Sequence, residues 1–346
     1  MAVTIKDVAS RAGVSLSTVS LVLNNKKNVS DTTRRKVLSA IEELDFHPHR
    51  AARGLASKTT GNIGFILTEI HFSSAEPFYT RVFLGTEFEA RKYHYYVLLT
   101  TVNRNFRRDQ HIPRFLLEKN VDGIIAAGTI PSSLVKYIRE IGLPFVMVDY
   151  LPRSGPVSAV LIDNYDGAYK AVSFLVESGN ERIAFVGGDL NHPSIQERYH
   201  GYRQALTDSN IPILEELIVD DEFYTGYQDG YKAMCKLLAR RVDFSALFAC
   251  NDAMAQGCLS CMRERRITVP DDIALVGFDD IESDLQIEPR LTTVRVNKEE
   301  LGAVAVRRLV EMIRTGEFLQ GKTLLPTELI IRNSTNKPIR QLEERR

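Results

Sequence analysis

The sequence contains no tryptophan and only four cysteines among its 346 residues. So few cysteines in a chain of this size do not make the disulfide framework of a small secreted protein. No apolar run approaches the roughly 18 residues that a membrane span needs. The first ten residues lack the basic-then-apolar layout of a secretory signal, so a cytoplasmic location is expected. Net charge is absent too, with 44 Lys and Arg against 44 Asp and Glu. The 44% hydrophobic and 25% charged fractions exclude a disordered, collagen-like or low-complexity chain. Also missing are a Gly-Lys-Ser/Thr phosphate loop, a nucleophile elbow and a full dinucleotide fingerprint, since Gly187-Gly188 only closes a strand. No reactive constellation marks an enzyme, and no cofactor is expected.

The neutral total hides an asymmetry. Residues 1–60 hold ten Lys and Arg against five Asp and Glu, a net of +5, which leaves −5 on the rest. A basic N-terminal segment on an acidic body suggests a nucleic-acid-binding module joined to something else, unless it is only a solvated helix surface. At roughly 100–200 residues per domain, the length fits two to three domains.

Residues 1–60 read as helices without strands. Thr4 and Asp7 form a capping pair ahead of Ile5, Val8, Ala9 and Ala12, which have helical spacing. Gly13 ends that helix, and Ser15 caps a second one through Leu23. Ser30 caps a third, from about Asp31 to Leu44, with Val37, Leu38, Ile41 and Leu44 on its inner face. His47-Pro48 breaks it, a short helical piece follows to Ser57, and Lys58 to Asn62 is a linker.

From Ile63 the pattern changes to short apolar runs alternating with helical stretches. The expected strands are Ile63–Leu67, Tyr96–Thr101, Gly123–Ala127, Phe145–Asp149, Val157–Asp163, Ile183–Val186, Leu217–Asp221, Ala246–Ala249, Ile273–Gly277, Leu291–Val296 and Thr323–Arg332. Strands apolar on both faces and separated by helices mean parallel sheets. Ile63-Gly64-Phe65-Ile66 and Ile183-Ala184-Phe185-Val186 each open a similar series, so two α/β lobes with a cleft are expected. Ligands bind such sheets at the carboxyl ends of the strands.

The pair Cys258 and Cys261, with Cys250 nearby, is a lone C-x-x-C. Zinc needs four ligands and nothing completes the set, so no metal is expected. A redox pair is the other sharp reading. Two cysteines three apart on a helix are expected here as small buried apolar residues.

A generic helix-turn-helix is weak information, but here the details accumulate. Thr4-Ile5-Lys6-Asp7-Val8-Ala9, Ala12-Gly13-Val14-Ser15, Thr18-Val19-Ser20 and Val22-Leu23-Asn24 strongly resemble the headpiece of the LacI/GalR (lactose repressor) family of bacterial transcription regulators. The resemblance continues through Val29-Ser30, Thr33-Arg34, Pro48 and Ala52-Arg53-Gly54-Leu55. In the core it is carried by Arg198-Tyr199-His200-Gly201-Tyr202, Asn251-Asp252-Ala253-Met254-Ala255 and Val276-Gly277-Phe278-Asp279. It covers nearly the whole chain.

The resemblance implies an all-α helix-turn-helix headpiece (1–47), a hinge helix and linker (48–60), and a two-lobed, periplasmic-binding-protein-like (type I) α/β core (61–346) with parallel sheets. The first lobe is expected at about 61–161 and 292–320, the second at about 162–290 and 321–335. By the same resemblance Leu16, Ser17 and Leu21 face base edges, while Ser15, Thr18, Ser20 and Asn24 hold phosphates. Thr4, Asn28, Ser30, Thr33, His49 and Ala52 complete the DNA-contacting set. Many members carry Arg where this chain has Leu21, and Leu can touch a thymine methyl but cannot bond guanine. Leu55 matches a wedge that enters the minor groove and kinks the duplex. Without the family, Leu16 would read as core and Leu55 as a docking residue.

In the cleft, Arg198, Asn251 and Asp279 match effector-bonding positions, and Asp149, at the end of a strand, is a further candidate. Phe78, Tyr79, Phe223 and Tyr224 are candidates for the apolar face of a ligand. Each carboxylate has the alternative of being a strand-end cap or an ion-pair partner. The expected function is a transcriptional regulator, a repressor, that binds a palindromic double-stranded operator as a homodimer under a small-molecule effector. The effector is expected to be a carbohydrate, with a nucleobase or other non-sugar metabolite as the alternative. A solute-binding protein or an α/β enzyme would share the core or the sheet. The first needs a signal peptide and no headpiece; the second needs a reactive site.

Overall fold

The structure is a computed structural model that describes residues 3–23, 28–46, 59–69, 78–107, 112–152 and 155–335. The chain divides into two compact units, Met1–Thr60 and Gly61–Arg346.

The N-terminal unit packs helices α1 (Ile5–Ala12), α2 (Leu16–Leu23) and α3 (Asp31–Glu43) around Val8, Ala9, Val19, Val22, Val37, Ala40 and Phe46. Short-range side-chain bonds to backbone N–H groups fix the start of each helix. The Asp7 carboxylate accepts from the Thr4 hydroxyl and from the Thr4 backbone N–H, each at 2.7 Å, and these bonds hold its pKa below the usual range. Ser15 Oγ accepts from Thr18 N–H at 3.1 Å and Ser30 Oγ from Thr33 N–H at 3.3 Å. Gly13, at φ +66°, turns α1 into α2, with Val14 N–H reaching back to the Ala9 carbonyl at 3.0 Å. One expectation is corrected: Leu38 is 51% exposed. It lies one residue beyond Val37, about 100° round the helix, so the inner face runs through 37, 40, 41 and 44 instead.

The second unit holds two six-stranded sheets. The first is built from β1 (Asn62–Thr68), β2 (Tyr96–Val102), β3 (Gly123–Ala127), β4 (Phe145–Val148), β5 (Ser158–Ile162) and a late strand, Gly321–Leu325. The second contains β6 (Ile183–Gly188), β7 (Ile218–Glu222), β8 (Ala246–Ala249), β9 (Ala274–Asp279) and β10 (Thr292–Arg295), with Glu328–Ile330 at its edge. In chain order the late strands are β11 and β12. The spatial orders are β11-β5-β4-β3-β1-β2 and β12-β10-β9-β8-β6-β7. Every pairing is parallel except β10 with β12. Helices cover both faces, so the central strands are buried almost throughout. The helices are α4 (Phe78–Lys92), α5 (Arg114–Leu117), α6 (Ser132–Glu140), α7 (Asn164–Glu177), α8 (Pro193–Asp208), α9 (Tyr227–Ala239), α10 (Asp252–Glu264) and α11 (Lys298–Thr315). None of the described helices is long and apolar enough to cross a membrane.

The lobe limits differ from the sequence reading at two strands. That reading puts 292–320 in the first lobe and 321–335 in the second, but β10 lies beside β9 in the second sheet and β11 beside β5 in the first. The single strand expected at Thr323–Arg332 is two strands in different sheets, with Pro326 between them. Proline has no N–H for a ladder bond, so the chain breaks there and crosses over. It crosses also after β5 and after β10.

Candidate functional site

In the N-terminal unit, α2 presents Leu16 and Leu21 outward, 44% and 38% exposed, while Val19 and Val22 face the core. Leu16 is therefore not a core residue. The hydroxyls at the start of α2 form one cluster: Ser15 Oγ lies 2.7 Å from Ser17 Oγ and 2.8 Å from Thr18 Oγ1. Thr4, Ser15, Ser17, Asn28 and Ser30 are exposed, and Thr18, Ser20 and Thr33 half-buried. Hydroxyls and free N–H groups at helix starts suit phosphate oxygens. Asn24, His49, Ala52 and Leu55, and with them the hinge helix, lie outside the described residues.

In the core, Phe78, Tyr79, Asp149, Arg198, Phe223, Tyr224, Asn251 and Asp279 all line one cavity of about 490 Å³. The strands explain the gathering. Thr68 ends β1, Thr129 follows β3, Asp149 follows β4, Asp189 follows β6, Phe223 follows β7, Asn251 follows β8 and Asp279 ends β9. The carboxyl ends of both sheets thus open into the same space.

Two of these carboxylates sit on unusual backbone. Asp149 has φ +56° and Asp279 φ +116°, a region that non-glycine residues seldom occupy except at functional sites. Both are buried. Asp149 accepts hydrogen bonds from the Tyr79 hydroxyl at 2.9 Å and from Ser194 at 3.3 Å. Burial raises its pKa, and the Arg198 guanidinium opposes that rise. Asp279 is pushed up to about 6 by burial, against the pull of Arg198 and Lys298. Lys298 Nζ donates to the Asp279 carbonyl and holds this strand end from below.

Arg198, on α8, spans the floor. It donates to Asn164 Oδ1 at 2.7 Å and to the Cys250 carbonyl at 2.5 Å, and its Cζ lies 3.7 Å from the centre of the Phe278 ring. Asn251 caps α10 by accepting from Met254 N–H at 2.8 Å, and donates to the Thr225 carbonyl at 2.9 Å. Its neighbour Asp252 accepts from the Thr293 hydroxyl at 2.5 Å and Ile281 N–H at 3.2 Å. The Asn-Asp pair therefore builds the wall that follows β8.

Other lining residues were not singled out by the sequence reading, among them Thr68, Arg104, Thr129, Asp189, His192 and Asp229. The rule that ligands meet strand ends, applied to every strand, would have found Thr68, Thr129 and Asp189. His192 has no such signal. Burial lowers its pKa to about 4, so it is neutral near pH 7. Its Nε2 lies 3.1 Å from Thr129 Oγ1, and its Nδ1 is buried without a partner, as is Thr68 Oγ1. Arg104 stacks on Phe223, 4.6 Å from the ring centre. Several of these contacts bridge the lobes: Ser194 to Asp149, His192 to Thr129, Arg104 to Phe223, and the ion pair of Arg81 with Glu282.

A helix-turn-helix unit joined to a two-lobed core with a cavity at its strand ends is the make-up of a ligand-responsive regulator, and comparison with known proteins agrees. The model for bacterial regulatory proteins of the lacI family matches residues 4–49, and one for a periplasmic binding protein-like domain matches 172–335. Catabolite control protein A of Priestia megaterium is 35% identical over 337 residues, 97% of this chain and 100% of that protein. A lac repressor dimer bound to operator and the anti-inducer ONPF is similar with a TM-score of 0.81 at 28% identity, covering 96% of this chain and 99% of that one. A complex of the transcriptional regulator CelR with cellobiose has a TM-score of 0.74 at 31% identity, covering 96% and 99%. The chain belongs to the LacI family of DNA-binding transcriptional regulators, with an N-terminal helix-turn-helix and a two-lobed effector-binding core.

Proposed function

We propose that this regulator is a repressor that binds a palindromic operator as a homodimer and changes its operator affinity when a neutral, polyhydroxylated ligand, a sugar or sugar derivative, fills the cleft. The observation that carries the effector reading is the pair Asp149 and Asp279, both buried at strand ends with positive φ and both facing Arg198 across one cavity. Carboxylates and a guanidinium offer acceptors and donors to neighbouring hydroxyls, and Phe78, Phe223 and Tyr224 offer an apolar face. The lining includes the carboxylates of Asp149, Asp189, Asp229 and Asp279 but only the guanidiniums of Arg104 and Arg198. That balance disfavours an anionic ligand.

On the DNA side, Leu16, Ser17 and Leu21 read base edges, and the hydroxyls around Ser15 fix the headpiece on phosphates. Leu55 is the minor-groove wedge of the hinge. Dimerisation is supported by Phe88 on α4 and by Tyr96 and Leu99 on the edge strand β2, which leave large apolar surface exposed. The switch is a change in lobe angle: the ligand competes with or reinforces the bridging contacts, and the hinge follows. Such a shift requires different ligand affinity in the two states. A thermal-shift screen of sugars, sugar phosphates and nucleobases tests the reading. Stabilisation by a neutral sugar supports it; stabilisation only by sugar phosphates or only by nucleobases contradicts the sugar assignment.

A further inference from the structure

The sequence motif pairs Cys258 with Cys261, but the fold pairs Cys261 with Cys235. Cys235 Sγ on α9 and Cys261 Sγ on α10 lie 3.0 Å apart, inside the ordinary non-bonded contact of two sulfurs. Two glycines let the helices approach this closely. A Cβ on Gly230 would meet the Met254 carbonyl at 2.2 Å, and one on Gly257 would meet the Tyr227 carbonyl at 2.0 Å. The other two thiols are engaged elsewhere: Cys258 donates to the Gly230 carbonyl at 3.3 Å and Cys250 to Met254 Sδ at 3.4 Å.

We propose that Cys235 and Cys261 are an oxidisable dithiol that closes into an intramolecular disulfide when the protein meets a peroxide. The bonded distance is about 2.05 Å, so the sulfurs need approach by only about one ångström more. Half-buried Cys235 is the sulfur that a small oxidant reaches; Cys261 is fully buried behind it. In the first step Cys235 sulfur attacks one peroxide oxygen, the O–O bond breaks, and water leaves with a sulfenic acid formed. In the second, Cys261 sulfur attacks the sulfenic sulfur, and the S–O bond breaks. The hydroxyl departs as water with the Cys261 proton. The two thiols together lose two electrons and two protons, and the peroxide is reduced to two waters. Arg265 Nη1 lies 3.0 Å from Cys261 Sγ and stabilises charge that develops there. Burial and the hydrogen bond with Cys235 raise the Cys261 thiol above the usual range, so Cys261 waits as the protonated, resolving partner. The bond would clamp the two helices whose N-terminal ends carry Asp229 and follow Asn251 at the cavity wall.

The test uses the full chain, reduced, freed of reductant and then exposed to hydrogen peroxide. Free thiols titrated after denaturation should fall from four to two. Non-reducing peptide mapping should find Cys235 linked to Cys261 and lighter by two hydrogens. The melting temperature should rise and return on reduction, because a cross-link restricts the unfolded chain. Cys235→Ser, checked for folding by its melting temperature when reduced, should keep its three remaining thiols and show no rise. A link between other cysteines, a link only between chains, thiol loss to sulfinic acid without a link, or no thiol loss while a small free thiol is consumed would each overturn the proposal.

Discussion

Arg198 Nη2 lies 3.4 Å from Asp279 Oδ1 at the floor of the cleft, yet the guanidinium makes its shorter bonds to Asn164 and the Cys250 carbonyl. The two residues are an ion pair and also part of the cavity lining. The pair is long because Arg198 is fixed by the wall rather than by Asp279. Asp279 thus keeps acceptor capacity for a ligand.

Removing either partner should therefore have unequal effects. Arg198→Ala leaves Asp149 and Asp279 buried without their guanidinium and should cost about 3–5 kcal/mol of stability along with the effector response. Asp279→Asn keeps the shape and removes the charge. It should melt close to wild type near pH 4, melt above wild type near neutral pH where burial disfavours the ionised carboxylate, and lose the effector response. Thermal melts beside operator titrations separate the two cases. Equal destabilisation with an intact response would mean the pair is only structural.

Asp279 also sets a pH dependence. Its folded pKa, about 6, lies above the unfolded value near 3.8. Its contribution to stability is therefore full below about pH 3.8 and is lost as pH rises through about 6. The stability of wild type relative to Asp279→Asn should fall by roughly 3 kcal/mol between pH 4 and 7 and change little above that. A ligand hydroxyl that donates to the carboxylate needs it ionised, so effector affinity should rise with pH through the same window. Denaturant melts and calorimetry at several pH values check both signs; a flat difference would mean that Asp279 is not buried as described.

Base readout should sit on the outer face of α2. Replacing Ser17 should cost about 1–3 kcal/mol on the preferred site and alter the favoured base, whereas Leu21→Arg should introduce a preference for guanine. Selection from randomised duplexes reads both. Unchanged preference in both variants, with overall affinity lowered alike on all sequences, would place these residues on the phosphates instead.

Much of this was legible in the sequence, for local reasons. Ser15 and Ser30 cap their helices, and Asp7 bonds back to Thr4, because a side chain three residues from a backbone N–H is a short-range geometry. Asp149, Asn251 and Asp279 converge because strand ends in parallel sheets converge, and Arg198 reaches them from the helix that follows β6. What failed was non-local. Nothing in the residues of β10 and β11 says which sheet each joins, because pairing partners lie far off in the chain. Cys258 and Cys261 are buried, as their helical spacing predicts, but the contact of Cys235 with Cys261 was not legible because it forms only after α9 and α10 pack on their glycines. His192 and Arg104 come from loops whose reach no periodicity encodes.

Leu55→Ala should weaken binding to the specific operator and reduce DNA bending, with non-specific binding nearly unchanged, since a wedge acts only in a kinked minor groove. Gel mobility of circularly permuted operator fragments, with competition by random DNA, gives both quantities. Equal loss on operator and random DNA would assign Leu55 to general docking.

The central claim is that occupancy of the strand-end cavity is read out on DNA. Its most direct measurement is operator affinity of the full chain across a titration of the stabilising sugar, for wild type and Asp279→Asn side by side. The account predicts that the sugar shifts wild-type affinity by about tenfold or more, which corresponds to roughly 1.4 kcal/mol of coupling. It predicts that Asp279→Asn binds the operator as wild type does without sugar and shows no shift with it. An unchanged wild-type affinity at saturating sugar, or an undiminished shift in the variant, would contradict it.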